Sequence, residues 1–127
     1  MLKVIIKEAG KKAEVKLIKD KLATFQHLVN GNIEAINTPF ANVALICNDE
    51  GKWMPTCKPN FYIREGSPYE DLLFGTVIFS ACDENGANRS LNTWEIKHIL
   101  QWLSERVLPI GNEKGEEHIK YNVKITE

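Results

Sequence analysis

The sequence contains few cysteines, no long apolar segment and no large excess of charge of either sign. Its 127 residues include three cysteines, an odd number that does not fit a disulfide framework. No segment approaches the roughly eighteen continuous apolar residues of a membrane span, and the N-terminus lacks the apolar core of a signal peptide. The formal net charge is −1, whereas proteins that coat duplex nucleic acid need a basic excess. We therefore expect a cytoplasmic protein with reduced thiols.

Motifs that would indicate a metal site or common catalytic chemistry are also missing. Cys47, Cys57 and Cys82 are far apart, and no Cys or His pair has the close spacing of zinc ligands. The sequence has no glycine-rich phosphate loop and no nucleophile elbow around a serine. We therefore expect a protein without catalytic residues, bound metal or cofactor. A small enzyme that uses Cys57 or His98 remains as an alternative.

One sequence phrase occurs twice: an apolar run that ends in cysteine, followed by three acidic or amide residues and a glycine. The first copy spans residues 43–51 and the second spans residues 76–86. The apolar side chains favour burial in a sheet, whereas Asp and Asn bond their own backbone and glycine accepts a positive φ. Each copy therefore predicts a buried strand that enters a tight turn.

The first third of the chain shows the patterns of a hairpin, a helix and a strand. Residues 2–7 and 13–19 predict an N-terminal β-hairpin. Asp20 is placed to cap a short helix, which Asn30 and Gly31 should end because both tolerate a left-handed backbone. Residues 32–36 then predict a short strand. The following stretch, residues 52–71, has aromatic residues but no periodicity, and predicts a long loop.

The second helix has the clearest start signals in the sequence. Asn92 is placed as its N-cap, and Glu95 can complete a capping box. An apolar stripe continues through Val107, and Pro109 should stop the helix. The tail, residues 109–127, should end in a closing strand at a sheet edge, because residues 118–125 alternate polar and apolar.

Together these elements predict one α+β domain over residues 1–127. We expect a mixed, mostly antiparallel sheet with two helices packed on it, the longer helix near the C-terminus. A chain of this length buries enough surface to be stabilised by packing alone, since it removes roughly two-thirds of its unfolded surface from water.

Aromatic residues of the long loop and of the second helix form the first candidate binding surface. Trp94, His98 and Trp102 recur every four residues, so they share a stripe beside the apolar one. Trp and Arg are enriched at binding hot spots. The same aromatic side chains can instead extend the core. The candidate contacts are Trp53, Phe61, Tyr62, Trp94, His98, Trp102 and Arg106.

Lysines near the N-terminus support a different function. A nucleic-acid or nucleotide-binding module would use these lysines together with a loop aromatic for stacking. Acidic residues are interleaved with them, which instead indicates a solvated charged hairpin. The lysines of this alternative are Lys7, Lys11, Lys12 and Lys16.

Four stretches of the chain read KVIIKEAGKKAEV, LVNGNIEAI, ALICNDEGK and GTVIFSACDENGANRSL. They resemble an uncharacterised family of small proteins carried by phages and conjugative elements of Gram-positive and gut bacteria. The resemblance covers roughly residues 1–91, and we expect residues 53–69 and 109–127 to depart from the family pattern. It implies an accessory role in a mobile element and offers no catalytic residue.

This resemblance and the missing catalytic motifs lead to one functional expectation. The protein should bind a host protein stoichiometrically, as an inhibitor or modulator, for example of a defence system such as CRISPR. The expected location is the host cytoplasm. A homodimer through an edge strand, formed by the first or the last strand, is an additional expectation.

Overall fold

The computed structural model describes residues 1–63, 72–105, 107–110 and 117–120, with Lys52 and the last two segments described by their backbone alone. In chain order the elements are β1 Leu2–Lys7, β2 Glu14–Ile18, α1 Leu22–Val29, β3 Ile33–Asn37, β4 Val43–Asn48, a 3-10 helix Gly51–Trp53, β5 Pro59–Tyr62, β6 Leu72–Phe74, β7 Val77–Cys82, β8 Asn88–Arg89, α2 Thr93–Ser104, β9 Val107–Ile110 and β10 Glu117–Lys120.

The main sheet has the strand order β2-β1-β7-β4-β3, with the short β8 also paired to β7, and every pairing is antiparallel. The two copies of the repeated phrase supply β4 and β7, which are neighbours. Leu45 lies opposite Phe79, and Ile46 lies opposite Ile78. The predicted α+β fold is confirmed, with a mostly antiparallel sheet and the longer helix towards the C-terminus.

Both faces of this sheet are covered, because neighbouring residues of a strand point to opposite faces. On one face α1 packs Phe25 and Val29 against a cluster that includes Ile78 of β7. On the other face α2 packs Ile99 and Leu103 against Phe79, and the β5–β6 hairpin covers the same cluster. Each fully buried side chain of this size stabilises the folded state by about 2 kcal/mol.

The described residues include no helix long and apolar enough to cross a membrane.

The start of α2 follows the sequence prediction. Glu95 N–H donates to Asn92 Oδ1 at 2.8 Å, and Asn92 N–H donates to Glu95 Oε1 at 2.9 Å, which completes the capping box. Arg89 of β8 donates to both carboxylate oxygens of Glu95, at 2.8 and 2.9 Å. The hydrogen bonds from Arg89 hold the pKa of the buried Glu95 below its usual value. The helix start is thereby tied to the sheet.

The end of α2 differs from the prediction. The helix ends at Ser104, where Glu105 N–H donates to Trp102 O at 3.2 Å. Val107 begins β9 and does not continue the helical stripe, and Pro109 lies within that strand. The helix ends early because of a tertiary contact, since the following residues form β9 and lie beside β5.

The start of α1 also differs from the prediction. Asp20 does not cap this helix, because its carboxylate accepts a hydrogen bond from Asn88 Nδ2 at 2.8 Å. Lys21 occupies the N-cap position without a side-chain cap. The predicted end is confirmed, with Asn30 in the left-handed conformation at φ 63°.

The segment predicted as a long loop contains regular structure. It includes part of the 3-10 helix and all of β5, which pairs with β6 in a separate two-stranded sheet. Residues 64–71 of the predicted loop lie outside the described residues.

The expected closing strand is β10, which pairs with β9 in a second two-stranded sheet and not with the main sheet. Residues 121–125 of the expected strand lie outside the described residues. β1 pairs on both sides, so the first strand cannot extend the sheet into a second copy. Among the described strands, the open edges of the main sheet are β2 and β3.

The two predicted turns have different outcomes. After β7, Gly86 adopts φ 81° and Asp83 Oδ1 accepts hydrogen bonds from the N–H groups of Asn85 and Ala87, as expected for a tight hairpin turn. After β4, Gly51 instead begins the 3-10 helix. The difference arises because Asn48, in the first copy, is buried and bonds the end of α1.

We predict that Ser80→Ala stabilises the protein by about 1 kcal/mol, since a buried hydroxyl without a partner costs free energy. Ser80 is 3% exposed, and its Oγ has no hydrogen-bond partner in the described part of the chain. Ser90→Ala is the matched control, because Ser90 Oγ accepts a hydrogen bond from Lys3 N–H at 2.9 Å and its loss should destabilise. Urea denaturation measures both changes. A loss of stability in Ser80→Ala would contradict the first expectation.

Candidate functional site

The structure separates the predicted aromatic surface into exposed and buried members. Trp53 is 82% exposed and Trp94 is 59% exposed. Phe61 is fully buried and therefore cannot contact a partner, whereas Tyr62 and His98 are half-buried. Arg106 lies outside the described residues.

Trp102 is half-buried and packs against the core, although it shares a helical stripe with Trp94. Its ring makes edge-to-face contacts with Phe40, Phe61 and Phe79, at centroid distances of 6.1, 5.9 and 6.1 Å. Such aromatic pairs add about 1 kcal/mol beyond their burial. Phe61 and the half-buried Trp102 pack with the core, which is the arrangement that the core alternative describes, whereas Trp94 on the same helical stripe is exposed.

Trp94 and His98 form a defined pair on the surface of α2. Their rings stack at a centroid distance of 4.0 Å with 22° between the planes. His98 Nδ1 lies 2.8 Å from Trp94 O. A carbonyl oxygen only accepts hydrogen bonds, so Nδ1 carries the proton and Nε2 is the second ring nitrogen available to a partner. The exposed indole is therefore held in one orientation by its neighbour.

The lysines of the nucleic-acid alternative do not form one basic surface. Lys7 is 1% exposed and cannot contact a polyanion. Lys11 pairs with Glu8 at 3.3 Å, and Lys16 pairs with Glu14 at 3.1 Å. Lys12 is exposed.

Lys7 is instead an internal structural group beneath β5. Its Nζ donates to Glu8 O at 2.8 Å and to Asn60 Oδ1 at 3.0 Å. Asn60 Nδ2 in turn donates to Lys7 O at 2.9 Å and to Gly75 O at 2.8 Å. Burial lowers the pKa of Lys7 to about 8, although Glu8 opposes this effect. The alternation along β1 could have indicated the burial of Lys7, because Lys7 lies on the same face of the strand as the buried Ile5.

A cleft that the sequence did not reveal lies at the end of β3 and β4. Its volume is about 240 Å³, and residues of β3, β4, β6 and the 3-10 helix line it. Cys47 is buried and lies at its floor, whereas Glu34, Asp49 and Trp53 are exposed and lie at its rim. The cleft therefore combines an indole with two carboxylates.

The electrostatics of this cleft are acidic. Burial raises the pKa of the Cys47 thiol to about 11, and the charges of Glu34 and Asp49 contribute to the increase. Within the described part of the chain, neither carboxylate takes part in a hydrogen bond or an ion pair. Within the described residues, no side chain therefore pairs with either of these two negative charges.

Asn48 holds the backbone at this end of the sheet. Its Nδ2 donates to Val29 O at 3.1 Å and to Asn30 O at 3.0 Å, and its Oδ1 accepts from Glu50 N–H at 2.7 Å. A Cβ atom at Gly31 would lie 2.5 Å from Asn48 Nδ2, so this close approach requires glycine. The side chain joins α1, β4 and the segment that carries Trp53.

The residues of the enzymatic alternative lie on separate elements. Cys57 is half-buried, and its Sγ lies 3.1 Å from the position that a Cβ at Gly75 would occupy. His98 lies on α2 and bonds its own helix. The described residues contain no group of three or more His, Cys, Asp or Glu arranged to hold a metal ion.

We predict that the wild-type protein gains stability relative to Lys7→Met as the pH rises from 7 to 10. The pKa of Lys7 is lowered from its ordinary value of 10.5 to about 8 in the folded protein, so the unfolded chain binds more protons between these values. The free energy of unfolding therefore rises with pH, by roughly 2 kcal/mol over this range. Urea denaturation of both proteins at each pH gives the difference. If the free energy of unfolding changed with pH in the same way in both proteins, burial would not lower the pKa of Lys7.

Removing both carboxylates from the cleft rim should lower the pKa of Cys47, since Glu34 and Asp49 disfavour the thiolate. We expect the pH profile of Cys47 alkylation to move to lower pH in Glu34→Gln/Asp49→Asn. Glu50→Gln is the matched control, because Glu50 does not line the cleft. Iodoacetamide pulses with peptide mass spectrometry measure the profile. An unchanged profile in the double variant would contradict this placement of the carboxylates.

Comparisons with known proteins identify a family and no activity. A family model described as a domain of unknown function, DUF3846, matches residues 2–104. The match includes the cleft, the Trp94–His98 stack and residues 53–69, which were expected to depart from the family. No curated protein and no solved structure matches the chain. Because the match covers most of the sequence, this chain belongs to the DUF3846 family.

Proposed function

We propose that this protein acts by stoichiometric binding to another protein, with the Trp94–His98 stack of α2 at the centre of the contact. The supporting observation is an indole that is 59% exposed and yet held by a ring stack at 4.0 Å. Trp is one of the three side-chain types enriched at binding hot spots.

This surface suits binding because its side chains are already held in place. Association loses side-chain freedom, at a cost of about 1 kcal/mol for each mobile side chain that becomes fixed. The capping box and the Arg89–Glu95 pair fix the first turn of α2, on which Trp94 lies. His98 then fixes the indole itself. A partner therefore meets a surface that needs little further ordering.

The proposed partner is a host protein, and the proposed setting is the cytoplasm of a bacterium that carries a phage or a conjugative element. The resemblance of four sequence stretches to proteins of such elements supports this proposal. A host defence factor, such as a CRISPR effector, is a candidate partner, because small accessory proteins of mobile elements act on such systems by binding. The lysine hairpin receives less support, since Lys7 is buried and Lys11 and Lys16 are paired with acidic residues.

We predict that immobilised wild-type protein captures one host protein from a nuclease-treated bacterial lysate, and that Trp94→Ala loses it. A hot-spot tryptophan contributes at least about 2 kcal/mol, which corresponds to roughly 30-fold in affinity. Leu22→Ala is the matched control, because Leu22 is also 59% exposed but lies on α1. Quantitative mass spectrometry of the captured proteins is the readout, and thermal unfolding of both variants checks that they remain folded.

Two results would contradict this proposal. Capture that is equal for wild type and Trp94→Ala would remove the stack from the contact. Recovery of nucleic acid alone, lost after nuclease treatment, would favour the lysine hairpin instead.

A further inference from the structure

The acidic cleft opens beside the strand edge of β3. Among the described strands, β3 pairs only with β4. Asp49 N–H donates to Asn32 O at 3.0 Å, so the backbone groups of residues 32, 34 and 36 point towards β4. Because bonding direction alternates along an antiparallel strand, the N–H and C=O groups of Ile33, Ala35 and Asn37 point outward. An extended segment can pair with these groups.

The side chains of β3 place this edge and the cleft on one face. Glu34 and Ile36 line the cleft together with Cys47, the residue opposite Glu34 in the register. A strand added to β3 would continue this pattern, and every second side chain of the added strand would point to the cleft face. One of these side chains would lie beside Glu34, with Asp49 and Trp53 at the same rim.

The chemistry of the rim selects a cation. Two exposed carboxylates without partners among the described residues attract positive charge, and an indole that is 82% exposed offers its face to a cation. A guanidinium group fits both features, because it is planar, stacks on aromatic rings and donates to a carboxylate with two N–H groups. An ammonium group is also attracted to both features, but it cannot stack as a plane on the indole or donate to a carboxylate with a fixed pair of N–H groups.

A second copy of this chain is a poorer occupant of the same edge. Two β3 strands paired across a two-fold axis would bring Glu34 and Asp49 of both copies to one face of the joined sheet, with no cation from β3 between them. Like charges in that arrangement are destabilising. Pairing of β3 with a basic segment would instead bring opposite charges together, which is stabilising.

We propose that the cleft receives an arginine side chain from an extended segment of a partner protein that adds as a strand to β3. This peptide-binding site uses none of the residues of the Trp94–His98 stack. It shares with the proposed function only that the partner is a protein. Main-chain hydrogen bonds to Ile33, Ala35 and Asn37 would supply affinity, and the cleft would supply the preference for arginine.

The first experiment is selection of a displayed random heptapeptide library on the purified wild-type chain, with counter-selection on Trp53→Ala. We expect enriched peptides that carry arginine and lack proline at the central positions, because proline cannot donate a ladder hydrogen bond. A synthetic peptide of the enriched sequence should bind more weakly as salt is raised. Glu34→Gln and Trp53→Ala should each weaken it about tenfold.

Matched controls distinguish binding at this site from a general effect of negative charge or of exposed apolar side chains. Glu50→Gln removes the same charge from the residue next to Asp49, and Leu22→Ala removes another exposed apolar side chain. We expect neither to change peptide affinity, measured by fluorescence anisotropy. Thermal unfolding of each variant confirms that it is folded. The Trp94→Ala capture has a separate readout, so either proposal can fail without the other.

Three results would overturn the inference. The first is no enrichment over counter-selection, or an enriched peptide whose affinity is unchanged by Glu34→Gln and Trp53→Ala. The second is arginine amide binding as tightly as the peptide, or equal binding after backbone N-methylation of the peptide, since neither involves strand addition. The third is a wild-type dimer in sedimentation that Ala35→Pro dissociates, which would make a second copy the occupant of β3.

Discussion

Burial of the β4–β7 pair on both faces is the constraint on which the rest of this structure depends. Leu45 and Phe79 point to one face, and Ile46 and Ile78 point to the other. Neither set can stay in water, so each face needs its own cover. α1 supplies one cover, and α2 together with the β5–β6 hairpin supplies the other.

The elements that pack on the two faces of the sheet also determine which polar groups are buried and which remain exposed. The β5 segment passes over the end of β1, and Asn60 there accepts a hydrogen bond from the buried amine of Lys7, which also donates to Glu8 O. At the opposite side of the sheet a cleft remains between β6 and the β3–β4 pair, with Glu34, Asp49 and Trp53 at its rim. One packing arrangement thus produces an enclosed cation and an open acidic site.

The aromatic residues follow the same division. Trp102 is packed among three phenylalanines, whereas Trp94, two turns earlier on the same helix, is turned to solvent and stacked on His98. A helix buries only part of its circumference, so a stripe at four-residue spacing drifts from core to surface along its length. The exposed part of the stripe and the rim of the cleft are two separate exposed surfaces, and they consist of different residues.

The sequence by itself determined the features that depend on neighbours a few residues apart. The strand alternation, the Asn92–Glu95 capping box and the left-handed end at Asn30 are of this kind, and all were predictable. The tertiary structure decided the rest: the burial of Lys7 by Asn60, 53 residues away, the division of the tryptophans, and the cleft between β4 and β6. Periodicity specifies which face of an element is apolar. It does not specify which distant segment covers that face, and that choice decides which of the described candidate residues are buried and which are exposed.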